Sequence, residues 1–295
     1  MKPTLLALFC TTLAPIACFA QTYSGGGSYD GGSYSRELTV VGLTSDERLI
    51  SFQESSPGSA TTIGRVSGLS GGDTFLVGID YRVQDGKLYG VGNAGGIYSI
   101  NTSNALATPV SRLTVALSGT YFGVDFNPAA DRLRIISDNG QNLRHNINAG
   151  GVTVVDGTLN YTSGTPALKV TGAAYTNNDL DATTATTLYD IDTNLDQVVL
   201  QSPPNNGSLA ATGKLTVDAA PPSTAAGQPQ DVGFDIYSTI RNGVTVEVQA
   251  LASLTSPAGA ASLYSVKLPT GKASLRGGFK STDRVVDIAI PLNQL

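Results

Sequence analysis

The chain has 295 residues, of which 41% are hydrophobic and only 14% charged. Eighteen Lys and Arg stand against 23 Asp and Glu, a formal net charge of −5 with the basic residues scattered; this excludes the dense cationic face that nucleic acid or an anionic membrane requires. Tryptophan is absent, and a single histidine excludes a multi-histidine metal site.

The chain opens Met1-Lys2 and continues apolar from Leu5 to small residues before Gln21. This pattern reads as a secretory signal, too short to span a membrane, cleaved after Ala20 (residues 1–20). The competing lipoprotein signal would use Cys18, but Pro15 stands where that signal needs Leu. Cleavage removes Cys10 and Cys18, leaving a mature chain without disulfide, thiol nucleophile or cysteine metal site. The predicted location is secreted or periplasmic. Residues 21–37, rich in Gly, Ser and Tyr, are too poor in aliphatic side chains to offset their ordering entropy and read as a flexible leader.

From Leu38 onward, short runs of alternating polarity are bounded by Gly, Asn, Asp and Pro, the signature of strands and turns. Residues 38–43, 49–52 and 61–66 read as three strands of a unit that lacks its first. Four complete units follow. Their strands are 76–81, 87–91, 96–100 and 107–113; 122–126, 133–137, 142–147 and 151–155; 170–175, 187–191, 197–201 and 209–215; and 232–237, 244–251, 262–268 and 273–276. A final strand, 285–290, supplies the one missing at the start. Measured at Asp80, the repeats lie 45, 49, 61 and 54 residues apart. The stretches 203–229 and 254–261, rich in Pro, Ala and Gly, read as surface loops. Four strands per unit at this period predict an all-β fold over residues 38–295: a five-bladed β-propeller, its ring closed by the C-terminal strand joining the N-terminal blade.

Three groups of residues are candidates for chemistry. Asp80, Asp125 and Asp235 recur in three of the five first strands, each two residues after a glycine. A propeller's first strand lines its channel, so three carboxylates would gather there, suited to calcium or to the acid and base of glycoside hydrolysis. The plainer reading is structural, since repetition suits turn capping or bonding between blades. In the second unit, Arg132 and Arg134 share a strand face that a neighbouring blade covers. They need carboxylates, for which Asp125 and Asp131 are the internal candidates, or else a ligand. The ligand reading is an anion or carboxylate pocket of Arg134, Asp138, Asn142 and Arg144. His145, between Arg144 and Asn146, reads as a solvated strand residue. The runs Asn177-Asn178-Asp179-Leu180-Asp181 and Asp190 to Asp196 alternate Asp and Asn as calcium loops do. They lack the spacing of an EF-hand, and hairpin-turn chemistry explains them. No Gly-x-Ser-x-Gly supports a serine hydrolase.

The run Gly123-Val124-Asp125-Phe126-Asn127-Pro128, with Asp131-Arg132-Leu133-Arg134-Ile135-Ile136-Ser137 and Gly140-Gln141-Asn142-Leu143-Arg144, resembles the signature of a family of secreted bacterial proteins, domain of unknown function 4394. Leu188-Tyr189-Asp190-Ile191-Asp192 and Gln201-Ser202-Pro203-Pro204-Asn205-Asn206-Gly207 carry the same resemblance. It spans roughly residues 38–292 and implies export and a propeller fold, without an activity, substrate or catalytic residue.

The reading that follows is an exported monomer with no nucleic-acid partner and no membrane span. It would act as a non-catalytic binding or scaffolding module for an extracellular ligand or protein, with no required cofactor. The expected ligand surface is the face of the loops joining second and third strands: Asp46, Asn93, residues 138–142 and residues 192–196. The alternative is a hydrolase of glycans or lactones acting through Asp80, Asp125 and Asp235, with calcium as its cofactor.

Overall fold

The computed structural model describes residues 37–162, 164–181, 183–217, 232–255 and 260–294. The expected signal, the leader up to Arg36 and parts of the two long loops lie outside these residues. In chain order, β1 (Thr39–Thr44), β2 (Arg48–Gln53) and β3 (Thr61–Arg65) open the domain. Blade one is β4 (Leu76–Tyr81), β5 (Leu88–Gly92), β6 (Gly96–Ile100) and β7 (Ala107–Arg112). Blade two is β8 (Phe122–Asn127), β9 (Arg132–Ser137), β10 (Asn142–His145) and β11 (Thr153–Val155), followed by a small hairpin of β12 (Asn160–Thr162) and β13 (Thr165–Pro166). Blade three is β14 (Val170–Tyr175), β15 (Leu188–Asp192), β16 (Gln197–Gln201) and β17 (Leu209–Lys214), with short β18 (Thr216–Val217) beyond it. Blade four is β19 (Val232–Arg241), β20 (Val244–Thr255), β21 (Ala261–Lys267) and β22 (Lys272–Gly278). The last strand, β23 (Val285–Ala289), pairs antiparallel with β1 and completes blade five in the order β23-β1-β2-β3.

The five inner strands form a closed cycle: β4 lies beside β8, β8 beside β14, β14 beside β19, β19 beside β23, and β23 beside β4. The structure is therefore a five-bladed β-propeller, and no α-helix occurs among the described residues. Most strands start and stop within two residues of the expected positions. The exceptions are β19 and β20, which run on as a long hairpin, and the short β12, β13 and β18, whose polar sequences carry no strand period.

The apolar core is divided into five clusters, one per interface between blades. Tyr89, Val91 and Ile97 of blade one meet Val124 and Phe126 of blade two. Ile136 meets Tyr175, Leu188 and Val199 between blades two and three. Ala174, Ile191 and Val198 meet Phe234 and Leu254 between three and four. Tyr237 and Leu263 meet Val40, Phe52 and Ile288 between four and five, and Leu43 and Leu49 meet Ile79 and Leu88 where the ring closes. No blade has an interior of its own. Each sheet is covered on both faces by its neighbours, so burial becomes complete only in the closed ring.

Closure is fastened by polar bonds as well. Gln294 Nε2 donates to the Thr39 carbonyl at 2.9 Å, and Thr39 N donates back to Gln294 Oε1 at 2.8 Å. Arg48 on β2 pairs with Asp283 at 3.0 Å, just before β23. Truncation after Arg284 removes β23 and Gln294 together and exposes one face of two core clusters. The expected outcome is loss of the cooperative thermal transition seen by circular dichroism. A truncated chain that still melts cooperatively near the wild-type temperature overturns this account of closure.

Candidate functional site

Inner strands of adjacent blades approach closely but do not form a ladder, so some of their backbone N–H groups need other acceptors. Gly123 allows the approach: a Cβ there would sit 2.8 Å from the Ala173 nitrogen of the next blade. The aspartate two residues on then takes an N–H from that blade. Asp80 Oδ2 accepts from Phe126 N at 2.7 Å, Asp125 Oδ1 from Tyr175 N at 3.1 Å, and Asp235 Oδ2 from Ile290 N at 2.5 Å. Asp287 on β23, absent from the repeat alignment, does the same for Ile79 N at 2.8 Å. Four of the five junctions are tied this way. At the fifth, Ala174 replaces the aspartate, and Asn178 bonds Ser238 Oγ and the Ile236 carbonyl of blade four instead.

All four carboxyls are buried. Burial is the main reason that Asp80, Asp125 and Asp287 lie well above the usual carboxylate range and that Asp235 rises to about 6; repulsion from Asp235 pushes Asp80 and Asp287 further, and Asp80 does the same to Asp125. Oxygens of Asp80, Asp125 and Asp235 all lie within 4.8 Å of one another. That spacing suits either a hard cation or shared protons. With shared protons, the folded-state pKa values exceed those of the unfolded chain. Their stabilisation is then present below the unfolded value and lost as pH rises through the folded values. The melting temperature is therefore expected to fall as pH rises from the ordinary carboxylate range through about 6, the value to which Asp235 is raised, and onward through those of the other three, with a shallower slope in Asp125→Asn and no change on exchanging chelator for calcium at the upper end. Stabilisation by calcium would instead assign the trio to a cation.

At one mouth of the channel lies a cavity of about 400 Å³. Each inner strand contributes a wall residue: Val77, Phe122, Thr171, Val232 and Val286. Three of these are the extra residues of β-bulges at the start of β4, β14 and β23, where pairing with the second strand skips Val77, Thr171 and Val286. A bulge re-aims the side chain it carries, and bulges concentrate beside functional sites. Ser45, Glu47, Phe75, Leu76, Thr120, Tyr121 and Arg284 complete the lining. Glu47 sits in the β1–β2 turn with φ of +65°, and its Oε2 accepts from Leu76 N at 2.9 Å. Poor solvation pushes its carboxyl up to about 7. The Thr171 hydroxyl is buried without a hydrogen-bond partner among the described residues.

The loops joining second and third strands surround this mouth and act as positioners. Asn93 Oδ1 accepts from Thr74 N and Phe75 N, and Asp138 Oδ1 from Thr120 N, so the two loops hold the rim residues that follow. Asp46 is taken up by Thr44 and Arg48, and Asp192 Oδ1 by Asn194 N and Leu195 N of its own turn.

The blade-two arginines lie elsewhere, between blades two and three. Arg134 is buried and donates to Asp156 at 2.6 Å, Asn142 Oδ1 at 2.7 Å, Asn205 Oδ1 at 3.0 Å and the Tyr175 hydroxyl at 3.2 Å. Arg144 forks onto the same Asp156 at 2.6 and 2.9 Å. The expected partners differ: Asp125 bonds Tyr175 N, and Asp131 pairs with Arg82 of blade one at 2.6 Å. His145 also departs from expectation. It is fully buried, within 2.8 Å of Ser111 Oγ and 3.0 Å of Thr153 Oγ1, and burial lowers its pKa. Asp190, read as part of a turn, is a buried strand residue with neither oxygen bonded, and burial raises its pKa well above the ordinary range. Arg134→Ala leaves Asp156 with one partner and strips the buried Asn142 amide and the exposed Asn205 amide of theirs, which is expected to cost about 3–5 kcal/mol in urea unfolding. A loss below 1 kcal/mol would remove Arg134 from the structural frame.

A family model described as Domain of unknown function (DUF4394) matches residues 48–289. Among curated proteins none matches the chain. Among solved structures, glutaminyl cyclase of Myxococcus xanthus aligns at 13% identity and TM-score 0.38, covering 74% of this chain and 71% of that one. A structural genomics protein of unknown function from Bacteroides thetaiotaomicron aligns at 14% identity and TM-score 0.44, covering 84% and 60%. YCF48 from Cyanidioschyzon merolae aligns at 16% identity and TM-score 0.34, covering 68% and 55%. The chain thus spans less than two thirds of the latter two.

Proposed function

This chain belongs to the Domain of unknown function (DUF4394) family, and we propose that it is an exported, non-catalytic binding module whose ligand is a small molecule held at the mouth of the propeller channel. One observation carries the proposal. All five blades contribute a wall residue to a single cavity, and three of them break strand register to do so. A bulge re-aims the side chain that it carries, and at these three places that side chain faces the same cavity. Export rests on the apolar segment before Gln21, with cleavage after Ala20 and a secreted or periplasmic destination.

The hydrolase reading draws on the grouping of Asp80, Asp125 and Asp235. Against it, an oxygen of each aspartate already holds a backbone N–H of the next blade, as a structural clamp would. A catalytic pair needs carboxyls free to face a substrate.

A thermal-shift screen of small metabolites against wild type and Val77→Phe, which fills the mouth, separates the readings. A ligand at a hundred times its dissociation constant stabilises by about 2.7 kcal/mol, or roughly 5–10 °C for a chain of this size. Hits are expected in wild type and lost in Val77→Phe. Turnover of aryl glycosides or lactones that disappears in folded Asp125→Asn would establish the hydrolase instead.

A further inference from the structure

We propose that the mouth cavity takes a small uncharged molecule with an apolar ring or branched chain and one hydroxyl or carbonyl oxygen, and that Thr171 selects for that oxygen. The inference rests on reading the cavity as the ligand site and names the ligand's class.

The first argument is the comparison of three equivalent positions. The bulge residues of β4, β14 and β23 are Val77, Thr171 and Val286. Valine and threonine have the same shape, so packing at this position is met by valine, as it is twice. The hydroxyl on β14 has no partner among the described residues, and Thr171 is only 2% exposed. A buried hydroxyl without a bond costs stability. As placed, the hydroxyl is turned into the wall. A step of about 120° in χ1 carries Oγ1 to the position that Cγ2 holds and Cγ2 to that of Hβ, and such a step is what brings the hydroxyl to the interior. A ligand oxygen supplies the missing bond.

The second argument is charge. The channel carboxyls Asp80, Asp125, Asp235 and Asp287 lie deeper in the same channel, about 10 Å farther along the strands for Asp80, and the one raised least, Asp235 at about 6, keeps its charge near neutrality and disfavours an anion. Arg284 on the rim opposes a cation. The walls at Val77, Val232 and Val286 solvate neither. The same poor solvation keeps the Glu47 carboxyl half protonated near neutrality, so it too meets an uncharged group as donor or acceptor.

The test uses one ring with three head groups: cyclohexanol, cyclohexylammonium and cyclohexanecarboxylate, titrated into the mature chain at pH 7 by ligand-observed NMR. Wild type is expected to bind cyclohexanol and to bind both ions at least about tenfold more weakly. Thr171→Val keeps the cavity shape and is expected to lose about five- to tenfold in cyclohexanol affinity, the size of one net hydrogen bond, without losing thermal stability. The proposal is overturned if Thr171→Val binds cyclohexanol like wild type, or if either ion binds as well as the alcohol. If no probe binds, or if binding survives in folded Val77→Phe, the cavity reading itself falls and takes this one with it.

Discussion

The structure depends on how five inner strands, brought edge to edge around an axis, satisfy backbone donors that no ladder can reach. Glycine lets one inner strand lie almost against the next, and a carboxylate two residues along accepts the N–H that this approach would otherwise leave bare. Gathering acids at one axis raises their pKa values and is unfavourable in isolation. It is tolerable because a carboxyl that keeps its proton still accepts a hydrogen bond, so the clamp does not need the charge. The repulsion measures what the ring spends on closure.

Once the clamps hold the middle of each inner strand, the strand starts have freedom to bulge. Three of them do, and the displaced side chains form the cavity walls. Rigidity lies directly beneath adaptability: the clamped segments hold the walls in place, while loops anchored through Asn93 and Asp138 carry the rim. A binding site on such a support keeps its shape when empty, which reduces the ordering cost of capture.

Much of the architecture was legible in the sequence because the repeat and the glycine-to-aspartate spacing are local patterns with one geometric solution. The permuted first strand was legible for the same reason. What escaped detection depends on register. Asp287 stands where the other inner strands have glycine, two residues before Ala289, which aligns with Asp80, so the glycine-to-aspartate spacing does not mark it. Val77 and Thr171 sit in apolar runs that look like ordinary core, and only the skipped pairing sets them apart. The partner of Arg134 escaped because Asp156 lies beyond a further strand and turn. His145 was misjudged from its polar neighbours, whereas its cross-strand pairing with Leu133 puts it on the apolar face.

Blade five takes its outer three strands from the beginning of the domain and its inner strand from the end. During synthesis, β1 to β3 emerge first and then wait for nearly the whole chain with an open strand edge. The inner wall of the ring is complete only when Val285–Ala289 leaves the ribosome. A chain built in this order has no finished ring until its last strand arrives. Folding is thereby timed by the position of the last strand, and the open edge of β1 becomes a liability for which the cell must provide cover until that strand arrives.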